Sequence, residues 1–155
     1  SRNQIQAESL NDDLQLNIGG MRMQIYTANA VYDKNIDNNN SLVVDLTHEG
    51  NRFLFTGDIE KQRIQDMLEQ KQINSCDFLK VPHHGQYNSA LNDLFEAASP
   101  TYAAITCSVK NPPEQETLDA LEAVGCIVYS TKDSEVHVRS TKNGVHVDQS
   151  GTWCW

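Results

Sequence analysis

The sequence predicts an α/β layered fold, a mixed β-sheet with helices on one face, in one domain of 155 residues. Three observations predict it. Apolar residues alternate with polar ones between Leu14 and Thr56, the spacing of strands. From Ile59 onward, helical spacings alternate with short apolar runs. The chain then closes on a further alternating pair around Asn143-Gly144. Strands followed by strand–helix units point to a layered sheet.

In "LQLNIGGMRMQIY" Leu14, Leu16 and Ile18 alternate, Gly19-Gly20 makes a two-residue turn, and Met21, Met23 and Ile25 alternate again, which predicts a hairpin with one buried face. "VYDKNIDNNN" has no periodicity and reads as a polar loop. "SLVVDL" and "RFLFT" read as two strands joined at Glu49-Gly50. Ile64, Met67 and Leu68 fall at i, i+3 and i+4 and predict an amphipathic helix. "DFLKV" is a strand. Leu91, Leu94, Phe95 and Ala98 form a second helical face, with Asn88 or Ser89 to cap it. "YAAIT" is a strand, and Pro113 suits the first turn of a third helix that carries Leu118 and Leu121 and ends at Gly125. "CIVYS" follows. A type I′ turn at Asn143-Gly144 sets Arg139 opposite Asp148 and Thr141 opposite His146.

With 39% hydrophobic and 21% charged residues, the composition is that of a globular domain, and no apolar run approaches the ~18 residues of a membrane span. The first residues lack the basic-then-apolar pattern of a signal peptide and an initiator Met, so the chain reads as part of a longer protein. Twelve Lys and Arg against 21 Asp and Glu leave a net charge of −9 and no basic cluster, which argues against nucleic acid as a partner. Cys76, Cys107, Cys126 and Cys154 form no C-x2-C pair. The first three sit in or beside apolar runs, as small hydrophobes do, and leave the compartment undetermined.

Two stretches carry residues suited to chemistry. In "FLFTGDIE" a strand ends in Thr56-Gly57, and Asp58 follows just before a helix. Its carboxylate suits a cation at a strand end, where α/β sites are built, or equally a helix N-cap. In "KVPHHGQ" two of the five histidines, His83 and His84, stand at the end of the next strand. Two parallel strands joined by a right-handed crossover bring Asp58 and these histidines to one sheet edge. Imidazole with a carboxylate oxygen suits Zn, Fe or Mn; ordinary loop histidines are the alternative. Adjacent residues do not readily ligate one ion, so one histidine is a ligand and the other orients it or faces substrate. His137 and His146 occupy the wet phase of the last hairpin, and His48 a turn. No G-x-S-x-G elbow or phosphate-cradling glycine loop occurs.

The ordered set "NNNSLVVDL", "RFLFTGDIE", "DFLKVPHHG" and "CIVYSTKDSEVHV" resembles the second half of metallo-β-lactamase-fold hydrolases of the competence-protein (ComEC) type, over roughly residues 10 to 148. The resemblance implies half of an αββα sandwich, with residues 1–155 as the C-terminal half of the domain. It implies that Asp58 bridges two zinc or other divalent ions, that His84 is the last ligand of the second ion, and that His83 lies behind it or faces substrate. It also implies that Asn39, Asn40 and Ser41 brace a loop. The chain departs from the family where the His-x-His-x-Asp-His signature is absent, where Gln86 replaces a usual Ser, and where "SVKNPPEQ" lacks a His-Pro.

The intact parent is therefore expected to hydrolyse a phosphodiester or related ester with a metal-activated hydroxide, whereas this chain alone is expected to be inactive and to bind metal weakly. The rival expectation is a non-catalytic interaction module. Its expected partner is the missing half of the domain or a second copy, docked on an apolar sheet face to which Leu14, Leu16, Ile18, Val43, Leu54 and Leu79 are assigned.

Overall fold

Residues 10–28 and 30–149 are described by the computed structural model; Cys154 lies outside them. Leu14–Ile18 (β1) and Met21–Tyr26 (β2) pair antiparallel across Gly19-Gly20. Both glycines have positive φ, as a two-residue primed turn requires. Val43–His48 (β3) and Asn51–Phe55 (β4) continue the meander through a turn at Glu49-Gly50, also both at positive φ.

From β4 the pairing becomes parallel: Phe78–Lys80 (β5), Tyr102–Ile105 (β6) and Ile127–Ser130 (β7) complete a seven-stranded sheet in sequence order. Parallel neighbours need crossovers. These are Lys61–Glu69 (α2), Leu91–Ala98 (α3) and Gln115–Ala123 (α4), preceded in the chain by a short helix, Ile36–Asn39 (α1). Among the described residues no helix is long and apolar enough to cross a membrane.

Helices α2, α3 and α4 cover one face of the sheet. Ile64 and Met67 of α2, Leu91, Leu94, Phe95 and Ala98 of α3 and Leu121 of α4 are buried there against Leu54, Leu79, Ala103 and Ile105. The expected helical stripes therefore form the core. Gly125, at φ +74, closes α4: its N–H donates to Glu122 O and that of Cys126 to Leu121 O, a Schellman cap. Asn88 Oδ1 accepts from the Ala90 N–H ahead of α3 at 3.1 Å. Cys76, Cys107 and Cys126 are free thiols. Burial pushes those of Cys76 and Cys126 up to about 12.

Several expectations need correction. The segment 31–40 is not wholly loop, since α1 occupies its end. Pro113 precedes α4 rather than entering it. Val43, Leu54 and Leu79 are buried beneath the helices, not on the open face. Alternation decides this, because the register pairs Phe53 with Phe78 and Leu54 with Leu79, so Phe53 and Phe78 point the other way. The first hairpin does not bury its apolar face: Leu14 and Ile18 are exposed, the latter at 53%.

The terminal hairpin, His137–Thr141 (β8) and Gly144–Asp148 (β9), forms a separate two-stranded sheet. Its register sets Arg139 opposite His146 and Thr141 opposite Gly144, not the expected partners. The turn closes one residue early, at Lys142-Asn143, because Thr141 Oγ1 accepts from the Asn143 N–H and donates to Gly144 O. Both side-chain faces survive that shift. Val145 and Val147 pack, with Val136, onto Phe53, Phe78 and Ala104, while His146 stays exposed. Asn51 Nδ2 donates to Ser140 Oγ and to Thr141 O at 2.8 Å, pinning the hairpin to the sheet.

Two buried polar residues fix the segment between β2 and β3. Arg63 of α2, 0% exposed, donates to Thr27 O and meets Asp66 at 3.3 Å, where Tyr32 also donates. Asn39 Oδ1 accepts from the N–H groups of Glu60 and Arg63, capping α2 from a distant segment, and its Nδ2 donates to Lys34 O. Asn39→Ala is expected to lose about 1–3 kcal/mol of stability in urea unfolding, because the N–H donors and carbonyl it served are left without it. A loss equal to that of Asn40→Ala, at an exposed position, would remove the cap from this account.

Candidate functional site

β4 and β5 end side by side, with Phe55 opposite Lys80. Thr56 Oγ1 donates to Lys80 O at 2.7 Å and ties the two ends together. Beyond Thr56 the chain turns at Gly57, whose φ of +57 is easy only for glycine. A Cβ there would also lie 2.7 Å from Ser41 Cβ. Ser41 Oγ accepts from the Asp58 N–H at 3.2 Å. The bracing expected of this loop therefore falls to Asn39 and Ser41.

Asp58 does not cap α2. Glu60 flanks the helix start, and Asn39 supplies the acceptor. The Asp58 carboxylate instead faces Lys80 and His84. Lys80 Nζ donates to Asp58 Oδ1 at 3.3 Å and to Gly57 O at 2.7 Å. His84 Nε2 lies 3.6 Å from Asp58 Oδ2.

After β5, Pro82–Gly85 makes one tight turn in which His83, His84 and Gly85 have φ of +43, +54 and +80. Two consecutive L-residues in the left-handed region cost about 1–2 kcal/mol each. Such strain persists where neighbours over-determine the backbone. Here the His83 N–H donates to Gly57 O, the Gln86 N–H to His83 O and the Glu114 N–H to Gly85 O. Gly85 is closed in by Pro113 and Ile105.

The turn splits the two imidazoles, whose centroids lie 6.3 Å apart at 57°. His84 Nδ1 is 2.6 Å from Thr106 O. A carbonyl only accepts, so Nδ1 donates to it, and Nε2 is the ring atom turned toward Asp58. His83 Nδ1 lies 3.3 Å from Glu60 Oε1, and its Nε2 is 3.4 Å from Asn38 Nδ2. The amide donates, so Nε2 of His83 accepts there. Asn38 also donates to Glu60 Oε1 at 2.7 Å, and Asn35 to Glu60 Oε2. The pair thus has unlike surroundings: His84 opposes a carboxylate, while His83 belongs to an amide–carboxylate cluster.

Asp58, His83 and His84 do meet at one sheet edge. Among the described residues no three or more His, Cys, Asp or Glu side chains converge to hold a metal ion. His48, His137 and His146 lie elsewhere. Lys80, Glu60, Asn38 and Thr106 went unrecognised in the sequence. Lys80 had a signal, for it alternates with buried Leu79 on a strand whose end was already suspected. Beside His84 opens a cleft of about 570 Å³ lined by Gln86, Thr106, Cys107, Ser108, Asn111 and Thr131, which present amide and hydroxyl groups along with their apolar stems. A second, largely apolar cleft of about 440 Å³ lies between the sheet and the terminal hairpin, lined by Phe55, Phe78, Ala104, Val138 and Lys80.

No family model matches the chain. It is similar to ComE operon protein 3 of Bacillus subtilis (strain 168), with 32% identity over 88 residues, 55% of this chain and 11% of that protein. The relation to a competence-operon protein is distant and partial. The match spans about a tenth of that relative's length.

Gly57→Ala and Gly85→Ala test the backbone geometry. Each places a Cβ 2.7 Å from a neighbour at positive φ, and each is expected to lose about 1–3 kcal/mol in chemical denaturation. Gly125→Ala, with open space around its Cβ, should lose less. Equal losses at all three would mean that only φ, and not the close approach, matters.

Proposed function

We propose that Asp58 and His84 are two ligands of a divalent metal ion, zinc or one of similar preference, in a hydrolase of the metallo-β-lactamase kind. The observation that carries this reading is the facing of two acceptors. His84 Nε2 and the Asp58 carboxylate stand 3.6 Å apart, and with a neutral imidazole both are acceptors, an arrangement that a cation between them satisfies. Tetrahedral zinc donors at ~2.0–2.1 Å lie roughly 3.4 Å from one another, so the pair fits as it stands. Thr106 fixes the tautomer, as partners of ligating histidines do. His83 has its Nε2 engaged by Asn38 and acts from behind, through Glu60.

When bound, the ion polarises a phosphoryl or carbonyl oxygen and lowers the pKa of its water toward ~7. The chain's own residues orient and bind. Asp58 and His84 hold the metal, and the amides and hydroxyls of the cleft beside His84 receive the uncharged, hydrogen-bonding part of an ester substrate. Catalytic zinc sites use three protein ligands and a water. Two donors make a half-site, so this chain by itself is inactive, and the remaining ligands of the paired ions in a longer parent come from other segments. The distant likeness to ComE operon protein 3 supports a competence-type relation and leaves the hydrolytic reading to the geometry.

Manganese broadening of NMR signals tests the assignment. His84 and Asp58 should broaden ahead of His137 and His146, with dissociation weaker than micromolar, and the Asp58→Ala/His84→Ala variant should lose the effect. Micromolar or tighter uptake would mean a self-sufficient site. Broadening that ignores the variant would remove both ligands.

A second reading, association through the open sheet face, is favoured by the exposure of Leu14, Ile18 and Phe55 there. Its occupant is a second copy of the chain. Sedimentation at tens of micromolar should give a dimer that Phe55→Asp disperses; a wild-type monomer would exclude it.

A further inference from the structure

Resting on the metal reading of Asp58, we infer that Lys80 is a built-in counter-cation for that carboxylate, the group that a divalent ion must displace. Its ammonium donates to Asp58 Oδ1 and, more closely, to Gly57 O, two acceptors of the same turn. The side chain is 19% exposed, so the charge is held by that turn rather than by open water. The two carboxylate oxygens thereby have unlike partners. Oδ1 faces the Lys80 ammonium and Oδ2 faces His84 Nε2. Half of the carboxylate is satisfied without metal, and the other half is directed at the second donor.

Arg52 and Arg63 are committed elsewhere, to Asp45 and to Asp66 and Thr27 O respectively. Lys80 is the lysine that meets Asp58 among the described ion pairs, beside His84. A divalent ion shared by Asp58 and His84 would stand within a few ångströms of the ammonium. Like charges at that range repel by enough to change affinity tenfold or more at the effective dielectric of a protein surface. The ammonium has somewhere to go. Its stem lines the apolar cleft beside Phe55 and Ala104, so Nζ can withdraw from Oδ1 along the cleft wall while the strand stays packed. Lys80 is a positioning residue: it keeps the carboxylate in place before metal arrives and weakens the site for metal until other ligands are added.

Two measurements on the 155-residue chain test this. Without metal, urea unfolding of wild type, Lys80→Met, Asp58→Asn and the double variant forms a cycle. A coupling of about twofold or more in the folding constant is expected, and additivity overturns the inference. With zinc alone as the probe, calorimetric titration is expected to show Lys80→Met binding at least about tenfold more tightly than wild type. Asp58→Asn/Lys80→Met should lose the gain. Zinc binding by Lys80→Met that equals or falls below wild type overturns the displacement. A clear coupling with no zinc taken up by Lys80→Met overturns the metal reading and the inference with it. Additivity alongside tight, Asp58-dependent uptake overturns the inference alone.

Discussion

The parallel pairing of β4 with β5 is the constraint from which the site follows. Parallel strands end at the same edge, and the Thr56 hydroxyl closes that edge by donating to the Lys80 carbonyl. Every later contact inherits this register. Gly57 can reach Lys80 Nζ and the His83 N–H because the two strands finish level. Asp58 and His84, 26 positions apart in the sequence, oppose each other for the same reason. A slip of one residue would turn Lys80 to the helix side and Leu79 into the cleft, reversing an apolar core position and a charged one together.

A second layer of constraint comes from the segment before β3. Its asparagines and Ser41 do no chemistry that the geometry indicates, yet they decide where the chemistry sits. Asn39 accepts from the N–H groups at the start of α2, and Ser41 serves the backbone of Asp58. Asn35 and Asn38 hold Glu60 and thereby His83. Helix, turn and carboxylate are located by polar groups from one short stretch. A net charge of −9 does not hinder this, because the contacts are largely amide and hydroxyl hydrogen bonds.

The order of strands and helices was legible in the sequence because it depends on local spacing. Period-two and helical patterns named every strand and the three covering helices. Face assignment failed at Val43, Leu54 and Leu79, where apolar residues run on without alternation and both sheet faces are apolar. Only long-range pairing tells which side the helices take. The last hairpin failed at its turn for a smaller reason, since the Thr141 side chain competes with the Asn-Gly signal and closes the loop earlier. Asp58, His83 and His84 were legible as a set by residue type and strand-end position. Their division of labour was not, because it depends on Thr106, Glu60 and Asn38, none of which is marked by spacing.

The left-handed turn at His83 and His84 has a thermodynamic consequence. Because the backbone itself aims the two rings apart, the imidazole that faces Asp58 does not have to be recruited from a set of loop conformers. Its ordering entropy is charged to folding rather than to each ligand encounter. A turn fixed in this way would let a ligand come and go without refolding the loop, and affinity would then reflect the donors supplied.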